Sequence, residues 1–444
     1  MRILIHSVNF WPELTGVGKY TGELADWLAG HGHQVRVVTA PPFYPGWRVF
    51  PLHSAWRSSR QMVPAKASDG TMEVFRCPVW VPRVPRGWKR VLHLLSFSLG
   101  STPAMLRQIS WLPDIVLLIA PTLFCSPQAL CTTRLTGAVG WLHVQDFEVD
   151  AAFELKDFSS PFLRRCVETL ERSLIRRFDR TSAVSERMLE GLCAKGVDAS
   201  RSIVFPNWVN TSVIYPMQTP SPLRGELGIP EHSIVALYSG SMGKKQGLEL
   251  VIEASRRLAF RSDIQFVFSG DGPDRETFAK MAQRTGRIML LPLQPNARLN
   301  ELLNLADIHL LPQLADAADL VMPSKLTGMM ASGRAIIATA RASTQVATVV
   351  EGRGVVTAPG DVDEFVRALV DLAEDRNLRL RMGKAAREYA IEHLDHEQIL
   401  GRFERSMLIA CGELPRVIEQ AALQRRQSPS INELAVIPGK AGDD

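Results

Sequence analysis

Tyrosine and cysteine are scarce in this chain of 444 residues, with five of the first and six of the second. The cysteines (Cys77, Cys125, Cys131, Cys166, Cys193 and Cys411) form no C-x-x-C pair and have no histidines at zinc-finger spacing. That pattern excludes a zinc ribbon, a thioredoxin-type redox pair and a disulfide scaffold, so the thiols read as reduced, small core hydrophobes. Long apolar runs are missing too. The nearest, 91–106, is uncharged for 16 residues but carries His93, Gly100, Pro103 and four hydroxyl side chains, short of the ~18 to 20 apolar residues that span a bilayer. The first eight residues are too short an apolar run for a signal peptide and lack a small-residue cleavage pattern, so export is not expected and a cytoplasmic location is. Neither G-x-x-x-x-G-K-[ST] nor G-x-G-x-x-G occurs, which argues against a Walker A loop and a dinucleotide fingerprint.

With 46% hydrophobic and 22% charged residues, the composition is that of a globular protein long enough for two large domains. Net charge is only +5, yet it is unevenly spread. Between residues 28 and 113 eleven basic side chains face two acidic ones, Asp69 and Glu73. Such a surplus attracts phosphates, nucleic acid or an anionic leaflet, or it forms a solvated basic face. No nucleic-acid reading motif accompanies it, and a nucleic-acid partner is not expected. Within it, 83–107 interleaves Arg86, Lys89, Arg90 and Arg107 with Trp88, Leu92, Leu95, Phe97 and Leu99, which suits either an interfacial segment on an anionic membrane or a core helix with a basic start.

Apolar periodicity predicts a strand over 2–8, a helix over 17–28 that ends at Gly30 and Gly32, and a strand over 35–39. Apolar runs at 72–76, 114–120 and 139–144, separated by helical patterns, extend this into a doubly wound α/β domain over 1–210. Five prolines between 205 and 232 mark a Pro-rich linker at 211–232. The same rhythm restarts at 234–238 and continues at 264–268, 288–291, 307–311 and 335–339, giving a second α/β domain over 233–373. Helices over 374–412 are expected to pack back towards the N-terminal domain, and 413–444 reads as a disordered tail. Open α/β sheets bind ligands at the carboxyl ends of their strands, so a site between the two domains is expected.

Four loops fall at such ends. The first runs Pro12-Glu-Leu-Thr-Gly16-Val-Gly18-Lys19, where glycines and a helix start can receive an anion, or simply form a tight turn. The second, Ser239-Gly240-Ser-Met-Gly243-Lys244-Lys245-Gln246-Gly247, sets paired lysines beside glycines at a helix start, suited to a diphosphate. Surface lysines are the alternative. The third, Ser269-Gly270-Asp271-Gly272-Pro273, reads as a turn. The fourth places Asp316, Asp319, Ser324 and Lys325 ahead of a helix, where Ser324 and Lys325 suit a phosphate or an ordinary N-cap. The one D-x-D triplet, Asp361-Val-Asp363, precedes a helical run and reads as an N-cap rather than a manganese site. Asp146, Glu148 and Asp150 follow His143 closely, a spacing open to a metal site, a glycosidase pair or a solvated loop.

In order and spacing these motifs resemble the retaining, metal-independent glycosyltransferases of family 4, from residue 1 to about 408. The resemblance rests on the Pro12 to Glu23 opening, His143-Val-Gln-Asp146-Phe-Glu148, Phe205-Pro-Asn-Trp208, Ser239 to Glu249 and Pro323-Ser-Lys-Leu326. It implies the GT-B fold, two Rossmann-like parallel-sheet domains facing a central cleft. It also implies a nucleotide-sugar donor held by the C-terminal domain and a polyprenyl-diphosphate-linked saccharide acceptor held by the N-terminal one, at the cytoplasmic face of the inner membrane. The enzyme class implied is a hexosyltransferase of exopolysaccharide, colanic-acid-like biosynthesis, with a GDP-sugar such as GDP-L-fucose as donor and no metal or other cofactor.

By resemblance, His143 lies near the reacting sugar with Asp146 beside it, Lys245 falls near the diphosphate-binding basic position although Gln246 directly precedes Gly247, with Lys244 beside it in the same loop, and Ser324 and Lys325 approach diphosphate and ribose. Gly16, Gly18 and Gly243 would let backbone approach the donor. Relatives commonly carry an E-x7-E pair whose second acid binds ribose; here those positions hold Leu320 and Gly328, so Asp316 or Asp319 would have to serve. That departure leaves open a catalytically weak assembly component, and an epimerase or hydrolase acting on nucleotide sugars is an alternative on the same two-domain scaffold.

Overall fold

The computed structural model describes residues 1–65, 70–84, 87–146, 161–243, 246–314 and 323–414. Two sheets organise them. The first contains β1 (Arg2–His6), β2 (Gln34–Thr39), β3 (Ser59–Pro64), β4 (Thr71–Arg76), β5 (Ile115–Ala120), β6 (Val139–Val144), β7 (Arg180–Ala183) and β8 (Ser202–Val204), in the order β3-β4-β2-β1-β5-β6-β7-β8. All its pairings are parallel except β3 against β4. The antiparallel edge is a departure from the all-parallel expectation: β3 is largely exposed, with only Gln61 and Val63 partly covered, as an edge strand can be.

The second sheet contains β9 (Ile234–Ser239), β10 (Ile264–Ser269), β11 (Ile288–Leu291), β12 (Ile308–Leu311), β13 (Ala335–Thr339) and β14 (Val355–Thr357), ordered β11-β10-β9-β12-β13-β14 and parallel throughout. Strands such as β5, with every residue buried, are apolar end to end because helices cover both faces. In both sheets the first strand of the domain sits at the point where the chain reverses its direction of travel, β1 between β2 and β5 and β9 between β10 and β12. Crevices open at the carboxyl ends of such strands. The loops after β1 and β9 are the first and second glycine loops.

The proline-rich stretch is built into the C-terminal half. Ile214, Leu223 and Ile229 are buried, and the Arg224 guanidinium donates to the carbonyls of Pro230, Glu231 and Ser233 and pairs with Asp307 at 2.8 Å. Its prolines shape a packed path rather than a solvated spacer. Of the two C-terminal helices, Arg376–His393 stays with the second domain, where Arg387 donates to the carbonyls of Thr211, Ile214 and Ala331. His396–Ala410 crosses to the first: Phe403 stacks on Phe205 at 3.7 Å between centroids, and Glu404 accepts from Trp27 Nε1 and His33 Nε2. The tail beyond 414 lies outside the described residues.

Candidate functional site

The loop after β1 turns sharply into the helix Gly16–Gly30. Gly16 has φ +62°, which favours glycine, and a Cβ on Gly18 would lie 2.5 Å from Glu13 Oε2. Thr15 stands at the N-cap with extended backbone but makes no side-chain cap bond, its hydroxyl is buried with no hydrogen-bond partner among the described residues, and the first helical turn contains no acid. The leading N–H groups therefore keep the anion-attracting character of a helix start.

Behind this turn lies a buried polar cluster that the sequence reading missed. Glu13 Oε1 accepts from the backbone N–H groups of Phe43 and Tyr44, each at 2.9 Å, and Oε2 accepts from Asn9 Nδ2 at 2.8 Å. Burial pushes the Glu13 carboxyl up to about 7 in spite of these bonds and of the Arg76 charge. Arg76, at the end of β4, donates to the carbonyls of Ala40 and Trp11. Three chain segments at the carboxyl ends of β1, β2 and β4 are thus tied together by two ionisable side chains.

The second loop is built around Gly240, with φ +141°. A Cβ there would lie 3.2 Å from Lys325 Cδ, and Lys325 Nζ sits 4.3 Å from the centroid of the Tyr238 ring and 3.3 Å from its hydroxyl. Burial draws the Lys325 ammonium down to about 7. Ser324 opens the helix Ser324–Ala331, which Pro323 precedes without a side-chain cap bond. The structure thus brings Ser324, Lys325 and the Gly240–Gly243 turn to one place. Lys244, Lys245 and Asp319 lie outside the described residues, as do Glu148, Asp150 and Asp316.

The third loop serves the second. Gly240 N–H donates to Ser269 O and Met242 N–H to Asp271 O. A Cβ on Gly270 would lie 1.9 Å from Gly240 O, and one on Gly272 2.4 Å from Met242 O. Its glycines are there for backbone-to-backbone contact.

His143 lies on β6, 1% exposed, in contact with the Phe205 ring, with Nδ1 3.0 Å from the Ser182 hydroxyl. Ser182 Oγ also accepts from Trp141 Nε1, and burial pushes the imidazole down to about 3. The ring is neutral and packs against aromatic neighbours. Asp146, just past β6, is half-exposed, with Oδ2 4.0 Å from Arg90 Nη2. Tyr44 joins this pair: its ring would meet a Cβ on Gly16 at 3.4 Å, and its hydroxyl, raised mainly by burial, feels Glu13, Arg90 and Asp146. Tyr44 and Arg90 carried no motif signal; only the fold gathers them beside the first glycine loop.

At the relatives' second acidic position, a Cβ on Gly328 would lie 3.2 Å from Leu303 Cδ1, so a longer side chain has little room. Asp361 caps the helix Val362–Glu374 by accepting from Glu364 N–H, and Asp363 pairs with Arg257. Among the described residues no group of three or more His, Cys, Asp or Glu is arranged to hold a metal ion, and no helix is long and apolar enough to cross a membrane.

Two Rossmann-like domains with glycine loops at both switch points have the architecture of the GT-B glycosyltransferases, and comparison with known proteins agrees. Residues 15–208 match the glycosyl transferase 4-like domain and residues 221–389 the glycosyl transferases group 1. WcaI of Escherichia coli K12, described as a colanic acid biosynthesis glycosyl transferase, is 40% identical over 413 residues, 91% of this chain and 98% of that protein. The chain belongs to the family 4 glycosyltransferases, with the GT-B fold. Among solved structures, sucrose-phosphate synthase from Thermosynechococcus elongatus aligns with a TM-score of 0.72 at 16% identity, covering 92% of this chain and all of that one. Anabaena HepE, solved in complex with UDP, aligns with a TM-score of 0.67 at 15% identity, over 92% and 99% of the two chains.

Proposed function

We propose that this glycosyltransferase moves a hexose, L-fucose from a GDP-sugar being the first candidate, onto a polyprenyl-diphosphate-linked saccharide in exopolysaccharide assembly of the colanic acid kind. Transfer proceeds with retention and without a metal or other cofactor, at the cytoplasmic face of the inner membrane. The observation that carries the reading is the meeting of Lys325, the Ser324 helix start and the Gly240 turn at the switch point of the second sheet. The near-full-length likeness to WcaI supports the pathway.

The chemistry follows from charge. The acceptor oxygen bonds to the anomeric carbon as the bond to the diphosphate breaks on the same face, the acceptor's proton passes to a departing phosphate oxygen, and the nucleoside diphosphate leaves. Negative charge grows on that leaving group. Lys325, with Lys244 and Lys245, and the helix starts at Gly16 and Ser324 supply preorganised positive potential for it, the kind of interaction that is stronger in the transition state than in the ground state. With no carboxylate at Gly328, ribose is held by backbone or by Asp316 or Asp319. Asp146 and Arg90, paired at 4.0 Å, orient the acceptor.

The test is thermal shift against GDP, UDP, ADP and their sugars, because a ligand that binds only the native state raises stability with concentration. Stabilisation by one nucleotide that is lost in Lys325→Ala, with label transfer to lipid-linked acceptor in membranes, is expected. Absence of any shift would overturn the donor site and favour an assembly component; release of free nucleoside diphosphate without acceptor would favour a hydrolase.

A further inference from the structure

Nothing in the transfer chemistry requires a carboxylate behind the first glycine loop, yet Glu13 is held there, 1% exposed. Its two oxygens are shared between separate segments: Oε1 takes the N–H groups of Phe43 and Tyr44 from the turn after β2, and Oε2 takes the Asn9 amide from the loop after β1. The same Oε2 backs against Gly18, where no side chain larger than hydrogen fits. The turn it holds presents Tyr44 to Gly16, at the start of the helix.

We propose that Glu13 is a positioning residue: as a carboxylate it clamps the Phe43–Tyr44 turn to the Asn9–Gly18 loop, and so sets Tyr44 and the leading N–H groups of the helix Gly16–Gly30 in the geometry that receives the donor diphosphate. The proposal rests on the donor-site reading above. Charge-assisted hydrogen bonds are shorter and stronger than neutral ones, so the clamp is tight only when Glu13 is ionised. Protonation at Oε2 also sets an O–H against the Asn9 amide, which already donates. The ionisable groups around it are Arg76, from the end of β4, and Tyr44, with Arg90 and Asp146 one step further out. Arg76 favours the carboxylate, and burial opposes it.

This arrangement separates function from stability. A carboxyl raised from 4.5 to about 7 by folding binds more protons in the native than in the unfolded state across that window, so its contribution to stability falls as pH rises from 4.5 to 7 and is least favourable above 7. A residue kept only for stability would not be a carboxylate here. Glu13→Gln keeps a carbonyl for the Phe43 and Tyr44 N–H groups while removing the charge.

The experiment measures GDP and UDP binding by calorimetry between pH 5.5 and 8 and the melting temperature at pH 8, for wild type and Glu13→Gln. The expected result has three parts: wild-type affinity that falls as pH drops below 7 and levels off about tenfold lower; a Glu13→Gln affinity that is about tenfold weaker at pH 8 and flat on the acid side; and a melting temperature at pH 8 that is unchanged or higher. Wild-type affinity and pH profile in the variant would overturn the proposal. So would a fall in melting temperature that tracks the loss of affinity, which is what a merely structural role gives. If neither nucleotide binds the wild type, the donor reading has failed separately, and amide hydrogen exchange at Phe43 and Tyr44 decides the clamp: faster exchange in Glu13→Gln at pH 8 upholds it, and unchanged exchange overturns it.

Discussion

The ammonium of Lys325 lies over the face of the Tyr238 ring, 4.3 Å from its centroid, within 3.3 Å of the phenol oxygen. Two residues 87 positions apart thereby couple the start of a helix to the end of β9. Tyr238 is itself committed, its hydroxyl donating to Ser241 O within the second glycine loop. The lysine is stored against an aromatic face with little water, and this draws it down to about 7.

A lysine so placed must take up a proton when a diphosphate arrives. Nucleotide affinity is therefore expected to weaken as pH rises above 7, approaching tenfold per unit. Lys325→Arg, which stays charged, should flatten that alkaline limb, and Lys325→Ala should cost about 1.5–3 kcal/mol of GDP or UDP binding near neutrality. Calorimetry in two buffers of different ionisation enthalpy reads the proton directly. No uptake at pH 8 would remove Lys325 from the phosphate contacts.

The close approach of two glycine loops makes a second expectation. Gly270 has φ +152° and its Cβ would lie 1.9 Å from the Gly240 carbonyl oxygen. Backbone strain of ~1–3 kcal/mol and a similar overpacking cost apply together. Gly270→Ala should lower stability by roughly 3–5 kcal/mol in urea unfolding and displace the Gly240–Gly243 turn, weakening nucleotide binding in the folded fraction. An unperturbed variant would mean that the two loops part easily.

These contacts show what a sequence carries and what it conceals. β5, apolar along its whole length, announces a strand covered on both sides, and the glycine-rich ends of β1 and β9 announce themselves by spacing. β7, Arg180-Thr-Ser-Ala183, does not, because its side chains find partners such as Trp141 and His143 only across the sheet. Glu13 reads as an ordinary loop acid, since its donors come from residues 30 positions away. His143 is another case: its motif suggests chemistry, and only the fold shows that it is packed against Phe205 and bonded to Ser182.

The last helix is a further case of long-range dependence. Phe403 stacks on Phe205 with an interplanar angle of 6° and meets the Trp141 edge at 5.0 Å. Removing such a ring from a packed core costs about 3–5 kcal/mol. Phe403→Ala should lower the unfolding midpoint accordingly and expose the Phe205–Trp208 segment, read as faster amide exchange at 203–209. A loss under 1 kcal/mol would mean that the helix His396–Ala410 is only loosely seated.

The basic N-terminal region offers a prediction about the membrane. The helix Trp88–Gln108 buries His93, Leu94, Phe97, Ser101 and Met105 on one face. On the other, Trp88, Leu92, Leu99 and Leu106 stay 61%, 44%, 74% and 51% exposed. At 3.6 residues per turn these four fall within about 40° of one another, a stripe roughly 27 Å long. Lys89 and Arg107 flank its two ends, and Arg90, near the helix start, faces Asp146 at 4.0 Å. An apolar stripe flanked by cations suits an anionic leaflet, with the leucines entering the headgroup boundary and the cations staying at the phosphates. The protein should co-sediment with phosphatidylglycerol vesicles at low salt, less so at 0.5 M salt, and weakly with phosphatidylcholine alone. Changing Leu92, Leu99 and Leu106 together to Ser should weaken binding about a hundredfold, since each half-buried leucine contributes ~1 kcal/mol, while nucleotide binding in solution is retained. Sedimentation indifferent to anionic vesicles would refute the membrane face, and a dimer that the same three substitutions dissociate would reassign the stripe to contact between copies of the chain.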